Sequence, residues 1–423
     1  MFTPLRRMYL VGFLFDSAIM VGITATPFFL FDVLHGDERM SGYIGGVQMA
    51  AYSMACIVAS RFVARVHNGL VFAMAGIGLF SLTYATLPLH GSAVMCGAIS
   101  VVAFGALALA WPALHSWVGA EPDPAKRARA LGWFNVSWSF GFALSPLLAG
   151  PLYDVDYRLP YVALLVLGAG SLALVWSLPH ERDHFGAAIE DVSEERVAHD
   201  RASEVHLHAA WFATFVANAL VGVTRTVYPK RIQDLVQSGE LRLLEGWPLP
   251  GFLEAAPATT FALLASTLSF LTAIAFVVLG GTHFWRHSFR LLFWLQAGCA
   301  LAFWCLGRTT SLLLMALCFA VVGANLGVAF FSGVYYSMTN TALKHGRAAI
   351  NEGAVGLGGF TGCVVFGYVI GRFHDLALPF TWTPLFILAA VIAQRALLAH
   401  GERRVGPPNG AARTAEAAAR RVA

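Results

Sequence analysis

The two halves of this chain carry the same pattern of glycines, 221 residues apart. The first set falls without a gap on the second: Gly132, Gly141, Gly150 and Asp154 on Gly353, Gly362, Gly371 and Asp375. The same offset places the apolar run 70–89 on the run 291–310. Parallel repeats of six membrane helices build one large class of secondary transporters, in which the substrate path lies between the halves. The repeat therefore makes transport the leading hypothesis.

Composition places the chain in a bilayer. Hydrophobic residues make up 57% of the 423 positions and charged residues 12%, against roughly 25% charged in a soluble domain. About 30 Å of hydrocarbon takes roughly 20 helical residues to span. Apolar stretches of this kind occur at 8–30, 43–60, 70–89, 92–118, 130–152, 159–178, 209–229, 258–281, 289–307, 311–338, 350–371 and 380–399. The sequence predicts an all-α integral membrane protein with twelve transmembrane helices in two six-helix repeats.

The distribution of basic residues predicts the orientation of these spans. An even number of spans puts both termini on one side, and 20 of the 28 Lys and Arg residues fall on that side, against seven on the other. Cytoplasmic loops carry the excess of basic residues. We therefore expect a multi-pass protein of the inner (plasma) membrane with both termini in the cytoplasm. The net charge of +4 reflects this orientation and gives no basis for nucleic-acid binding.

The chain divides at a polar segment between the sixth and seventh spans. We expect an N-terminal half over 1–178, a cytoplasmic linker over 179–208, a C-terminal half over 209–399 and a cytoplasmic tail over 400–423.

The second half contains an insertion near 235–257. The first spans of the halves align at an offset of 202, which places Pro27 on Pro229, so the second half has gained 19 residues after that point. Aromatic and aliphatic residues among charges favour a segment lying at the outer membrane surface. A plain elongated loop and a lid over the outer mouth are the alternatives.

The fifth span carries a recognisable motif. Gly132, Gly141, Pro146 and Gly150 have the spacing of the drug-antiporter motif of the major facilitator superfamily, although Ser145 and Ala149 replace two of its glycines. The chain resembles this superfamily over nearly its whole length. The resemblance implies two halves that rock around a central site, and the motif favours export. Close packing of the fifth helix without bearing on direction is the alternative.

The superfamily's cytoplasmic loop motif is poorly matched. Only Arg65 fits it, and Ala64 stands where relatives carry an aspartate that is thought to help latch the halves together. We predict that Glu352 supplies a substitute contact through Arg61, Arg65 or Lys126. A surface charge pair of modest strength is the alternative.

Charges inside spans are expensive and mark functional candidates, and Asp16 and Arg225 are the two clearest. Asp16 is in the first span, and its repeat counterpart is Asn218 in the seventh. Burial favours the neutral form of a carboxyl group, so Asp16 is a candidate for proton coupling. Gating or substrate contact, and structural pairing with Arg225 or a hydroxyl, remain open.

Arg225 lies seven residues after Asn218 and therefore on the same face of the seventh helix. We predict that it binds an anionic group of the substrate through a bidentate contact. Snorkelling toward the outer surface is the alternative.

A second set of candidates is polar or aromatic and lies in spans that line the cavity in relatives. Its members are Gln48, Trp111, His115, Asn135, Trp138, Asn325, Tyr335 and Tyr336. His115 falls on Tyr336 at the 221 offset, which places polar rings at equivalent positions in the two halves. We predict hydrogen bonds or ring contacts to substrate, and ordinary helix packing is the alternative for each.

One metal-like motif is interpreted as a chance match. His180, Glu181 and His184 fit a zinc-peptidase pattern, with Glu204 as third ligand. The motif lies in a linker that has no partner domain to build a dry site. We expect no metal, no cofactor and no enzyme activity. The cysteines lie in apolar spans and are expected to be packing residues.

Together these patterns predict a monomeric, proton-coupled secondary transporter of a small organic solute, with export favoured. Uptake or facilitated diffusion by the same fold is one alternative. A membrane sensor that binds a ligand without moving it is another.

Overall fold

The protein is almost entirely α-helical in the computed structural model, which describes residues 3–63, 69–119, 124–179, 194–338, 344–373 and 377–405. The N-terminal half contains α1 (Pro4–Asp32), α2 (Glu38–Val63), α3 (Gly69–Ala85), α4 (Ala93–Gly119), α5 (Pro124–Val155) and α6 (Leu159–Trp176). The C-terminal half contains α7 (Glu194–Thr226), α8 (Tyr228–Gln237), α9 (Pro257–Gly281), α10 (Arg290–Leu306), α11 (Leu312–Met338), α12 (Lys344–Phe373) and α13 (Leu378–Val405). Each predicted span corresponds to one of these helices for most of its length, and α8 is an additional short helix that takes up the end of the span 209–229. Among the described residues, ten helical stretches are long and apolar enough to cross a bilayer, and α10 is a shorter apolar helix.

Helix α7 begins inside the segment predicted as a linker. It starts at Glu194, so residues 194–208 continue the helix, whereas 180–193 lie outside the described residues. Helix α13 likewise continues to Val405, inside the predicted tail. Hydropathy locates the part of a helix in lipid, and it does not locate polar turns that project beyond the lipid.

The predicted span 209–229 is interrupted near its end. Helix α7 ends at Thr226, and α8 begins at Tyr228 with Pro229 in its first turn. Proline has no N–H, so Pro229 cannot donate to the carbonyl oxygen of Arg225, four residues earlier. The break therefore falls beside Arg225.

The repeated glycines make equivalent packing contacts in the two halves. A Cβ on Gly141 of α5 would lie 2.5 Å from the carbonyl oxygen of Phe13 in α1. Its counterpart Gly362 of α12 packs even more closely on the carbonyl oxygen of Ala219 in α7. Small residues let helix backbones approach closely in lipid, where packing drives association.

The next glycines bring the two halves together. A Cβ on Gly150 would lie 2.7 Å from a backbone carbonyl oxygen of α9, and Gly371 of α12 contacts the side chain of Arg39 in α2. A Cβ on Gly42 of α2 would lie 2.9 Å from the Cα of Gly367 in α12. The pairs α5 with α9 and α2 with α12 therefore form the interface between the halves.

Polar contacts join the halves at the end of the bundle away from both chain termini, here called the distal end. Asp154 at the end of α5 accepts hydrogen bonds from the first turn of α9, and Arg39 donates to the carbonyl oxygen of Gly371. Gln233 of α8 donates to Asp32 of α1 at 2.5 Å. The halves are thus in contact at the distal end.

The insertion between α8 and α9 packs against the start of α11. Arg242 donates its N–H to the carbonyl oxygen of Thr310 at 3.0 Å, and its own carbonyl accepts from Leu312 at 2.8 Å. Trp247 and Phe252 in the same segment are exposed. A surface-lying segment would present such residues to the bilayer interface, and this role stays a prediction.

Candidate functional site

Four predicted site residues form one cluster between α4 and α5. Trp138 donates from Nε1 to Asn135 Oδ1 at 3.0 Å, and His115 Nδ1 donates to the carbonyl oxygen of Trp111 at 2.9 Å. The ring centroids of Trp111 and Trp138 are 6.2 Å apart, and those of His115 and Phe134 are 5.2 Å apart. The cluster exists because these residues, spread over two spans, lie on the facing sides of the two helices.

Aromatic contacts continue from this cluster into the other half. Trp138 contacts Phe276 of α9 at 5.7 Å, and Phe276 contacts Phe331 of α11 at 6.0 Å. Phe331 in turn contacts Trp285, whose ring lies 5.0 Å from that of Tyr335. The predicted residues Trp138 and Tyr335 therefore belong to one chain of rings that crosses the interface.

Tyr336 adjoins this chain of rings inside the C-terminal half, with its ring centroid 5.3 Å from that of Tyr335 and 6.3 Å from that of Trp285. Its hydroxyl accepts the backbone N–H of His287 at 2.9 Å, and its ring stacks on that of His206 at 5.6 Å. Tyr336 and His206 also line a cavity of about 30 Å³ with Trp285 and Ser332. The repeat counterparts His115 and Tyr336 thus lie in equivalent helices and in different surroundings.

Gln48 is held by a buried network of hydroxyl groups in the N-terminal half. Its Nε2 donates to the hydroxyl of Tyr84 at 2.9 Å and lies 3.4 Å from Ser100 Oγ. The Tyr84 hydroxyl also bonds to Thr26 Oγ1 at 2.8 Å, and Thr26 lies 3.3 Å from the hydroxyl of Tyr161. Sequence reasoning missed Thr26, Tyr84 and Tyr161, although hydroxyls within apolar spans were a signal for them.

A second cavity, of about 20 Å³, lies between the halves. Its walls come from α1, α2 and α7, and they include Ile23, Pro27, Gln48, Arg225 and Thr226. A space of this size holds about one water molecule. The cavity therefore brings the predicted residues Gln48 and Arg225 together.

Arg225 lines this cavity without a counter-charge. Its Nε is buried and has no hydrogen-bond partner, and within the described ranges no carboxylate lies within the 4.0 Å of an ion pair. If Arg225 snorkelled to the outer surface, its guanidinium would lie in water. Arg225 is instead partly buried and borders a cavity between the halves.

Asp16 is buried in α1, and its Oδ2 has no hydrogen-bond partner. Neighbours in helical register contact α5: Gly12 packs on Phe134, and the backbone at Ser17 packs on Gly141. Asp16 therefore lies close to the α1–α5 contact. An ion pair between Asp16 and Arg225 is not formed in the described part of the chain, so that predicted pairing is not observed.

Asn218 and Asn325 are placed away from both cavities. Asn218 donates to the carbonyl oxygen of Thr214 in its own helix at 2.8 Å, and a Cβ on Gly358 of α12 would lie 3.1 Å from its Cβ. Asn325 is completely buried, and neither of its amide atoms has a hydrogen-bond partner among the described residues. Their role as substrate contacts stays a prediction.

The profile of the Major Facilitator Superfamily matches residues 8–348. The chain belongs to this superfamily. No curated protein matches the sequence significantly. Solved structures with the same fold include the nucleoside transporter NupG, at 11% identity and a TM-score of 0.66 over 94% of this chain and 99% of that one.

Two further transporters of known structure are similar over comparable lengths. A POT family transporter in complex with a thioalcohol-conjugated peptide has 14% identity and a TM-score of 0.69, over 94% of this chain and 96% of that one. A bacterial homologue of the human lysosomal transporter Spinster, in an inward-facing and occupied conformation, has 14% identity and a TM-score of 0.64 over the same shares. The predicted superfamily and all-helical fold are confirmed, and the protein is a membrane transporter rather than an enzyme.

Within this superfamily fold, Glu352 forms a contact between the halves. Tyr52 of α2 donates from its hydroxyl to Glu352 Oε2 at 3.0 Å. Of the three predicted basic partners, Arg65 lies outside the described residues, the side chain of Arg61 is not described, and Lys126 is exposed. The contact that the structure does show for Glu352 is with a phenol, which sequence reasoning did not anticipate.

Asp154 is a second inter-half residue that sequence reasoning missed. Its carboxylate accepts from the N–H groups of Ala258 at 3.3 Å and Thr259 at 2.8 Å, and from Thr259 Oγ1 at 2.5 Å. These groups form the open N-terminal turn of α9, which a carboxylate satisfies as a helix cap does. Its place in the repeat was the signal. The counterpart Asp375 lies outside the described residues.

The zinc-like motif lies largely outside the described residues, and its interpretation as a chance match stays a prediction. Its His180 and His184 lie outside the described residues, and Glu204 forms an ion pair with Arg347. In the ranges that the structure covers, no three His, Cys, Asp or Glu side chains come together as metal ligands.

Proposed function

We propose that this protein is a secondary active transporter that moves a small organic solute by alternating access, coupled to protons. The observation that carries the proposal is Asp16, a buried carboxyl group in a transmembrane helix with an unpartnered oxygen. An ionised carboxylate without a partner is costly in a membrane bundle. A group in that position is suited to bind a proton in one state of the cycle and release it in another.

Contacts between the halves support alternating access. At the distal end, Asp154 caps the first turn of α9 in the other half. Toward the end that holds the chain termini, Tyr52 bonds to Glu352. Both links consist of a few exchangeable hydrogen bonds, so each can break while the other forms. We assign Glu352 to gating on this basis.

We place the solute between the halves. Gln48 and Arg225 line the cavity there, and the cluster of His115, Asn135 and Trp138 contacts α9 across the interface. Tyr335, Tyr336, Asn218 and Asn325 lie in the C-terminal half and would contact solute after the halves move.

Direction, orientation and assembly are further parts of the proposal. Export is favoured by the motif of α5, in which Gly141 and Gly150 pack on α1 and α9. The basic residues favour cytoplasmic termini in the plasma membrane. A monomer suffices, because each chain provides both halves.

Proton flux in proteoliposomes tests the proposal. The purified protein is reconstituted with an entrapped pH-sensitive dye, and solutes are added one at a time. We expect at least one solute to drive proton movement in the native protein and none to do so in Asp16→Asn. The matched control is Asp234→Asn, because Asp234 forms only a surface pair with Lys230.

Other outcomes decide between the alternatives. Solute entry that ignores the pH gradient would identify a facilitated-diffusion carrier. Saturable binding without flux would identify a sensor. Proton movement that persists in Asp16→Asn would remove Asp16 from the coupling role.

A further inference from the structure

The cavity between the halves is lined by residues at equivalent positions of the repeat. Ile23 and Pro27 of α1 fall on Arg225 and Pro229 at the 202 offset. Ile23 and Arg225 both line the cavity. Because equivalent residues from both halves meet there, the cavity lies on the axis that relates them.

Charge at this position is unequal between the halves. One half supplies Ile23 and the other supplies Arg225, and of the ten residues that line the cavity Arg225 alone is charged. A cation that is partly withdrawn from water without a counter-ion destabilises the folded protein. The fold tolerates this cost at Arg225, whereas the equivalent position in the other half holds the uncharged Ile23.

The other donors in the wall are already engaged. Thr226 Oγ1 donates to the carbonyl oxygen of Gly222 at 2.8 Å, and Ser41 Oγ donates to the carbonyl oxygen of Thr226 at 3.0 Å. Gln48 donates from Nε2 to Tyr84. Arg225 Nε has no partner. The guanidinium is therefore the group in this wall with free capacity to bind an acceptor.

Apolar residues make up much of the remaining wall, including Ile23, Leu30 and Ile44. We infer that Arg225 binds the carboxylate of an organic anion on the axis between the halves, with the apolar part of that solute against α1 and α2. A planar guanidinium matches a carboxylate in a bidentate contact. The present cavity has room for little more than the carboxylate oxygens, so the rest of the solute enters as the halves separate.

This inference rests on the proposed transport function and names the class of solute. Its test is binding, measured without any gradient, so it can fail or succeed independently of transport. Full-length purified protein is heated with short aliphatic and aromatic carboxylates, with the amide of each carboxylate, and with chloride and sulfate. A ligand that binds the folded state raises the midpoint of unfolding.

We expect one or more carboxylates to raise the midpoint while their amides do not. Charge-assisted hydrogen bonds contribute enough that Arg225→Gln should weaken the apparent affinity by about ten- to a hundredfold, with Arg225→Lys between the two. The matched control is Arg308→Gln, since Arg308 is exposed and stacks on Trp304. That control should bind like the native protein.

Several results would overturn the inference. These are equal stabilisation by amides and carboxylates, stabilisation by chloride or sulfate alone, no stabilisation by any probe, or an unchanged response in Arg225→Gln. The comparison of carboxylate with amide uses native protein, so it stands even where a variant does not fold. Carboxylates that bind without being transported would support the site and remove the transport proposal.

Discussion

Asp154 offers the most direct test of how the distal end is held closed. Asp154→Ala removes an acceptor for three donors of α9, at 3.3, 2.8 and 2.5 Å. Losing a helix cap costs roughly 0.5–2 kcal/mol. Because this cap crosses between the halves, its loss should favour the distal-open state. A change of about 1 to 2 kcal/mol raises the open-to-closed ratio by a factor of roughly 5 to 30.

Spin labels on the two halves measure this ratio. Ser92→Cys before α4 and Ser238→Cys after α8 place labels at exposed distal positions, in a background without the six native cysteines. Pulsed electron resonance gives the distance distribution between the labels. We expect a longer distance to gain population in Asp154→Ala.

The matched control is Asp156→Ala. The Asp156 carboxylate caps only the N–H of Arg158, two residues along its own loop. An equal shift in both variants would show that the effect is local to the loop. An unchanged distribution in Asp154→Ala would refute the assignment of Asp154 to the distal contact.

Three further substitutions test other contacts. Gly150→Leu should separate α5 from α9 and lower the midpoint of thermal unfolding. Gly132→Ala should leave the midpoint unchanged, because a Cβ there meets nothing within 4 Å. Equal midpoints in the two variants would contradict the packing role of Gly150. Tyr52→Phe removes the hydroxyl that is bonded to Glu352. It should favour opening at the end that holds the chain termini by about 1 kcal/mol, which spin labels at that end would measure. An unchanged population of the open state would exclude this contact as a gate. Tyr84→Phe removes the hydroxyl shared by Gln48 and Thr26 and should cost about 1 to 3 kcal/mol in denaturant unfolding; native stability would show that the network is dispensable.

The fold was predictable because its signal is repeated along the chain. Apolar length located twelve helices, and the glycine offset found the equivalent contacts at Gly141 and Gly362. The break after α7 was harder to predict. Pro27 lies within the continuous α1, whereas its counterpart Pro229 follows a helix break. Whether a proline bends or interrupts a helix depends on contacts outside that helix, and at this break Ser41 of the other half donates a hydrogen bond to the carbonyl oxygen of Thr226.

Candidate site residues could be named from the sequence, and their contacts could not. Helical register placed Arg225 on the face of Asn218, yet only the packing of three helices shows that Arg225 shares a cavity with Gln48 and that no carboxylate of the described residues forms an ion pair with it. The contact that the structure shows for Glu352 is with Tyr52, and the predicted contact with Arg61, Arg65 or Lys126 stays a prediction. In a single sequence, a charged residue in an apolar span is easily recognised as a candidate for a polar contact. A tyrosine is not, because its ring is equally compatible with ordinary helix packing.

The glycine contacts between the halves have a mechanical consequence. Interlocked side chains form ridges that must disengage before two helices can change their angle. At Gly42 and Gly367, and again at Gly150, the helix backbones contact each other directly, and no ridge of large side chains lies between them. If the halves move as proposed, shape should offer little resistance to their rotation, and we expect the few polar bonds at the ends to set the speed of the movement. Transport turnover should therefore change strongly with single substitutions at those ends, and weakly with the size of side chains that face the lipid.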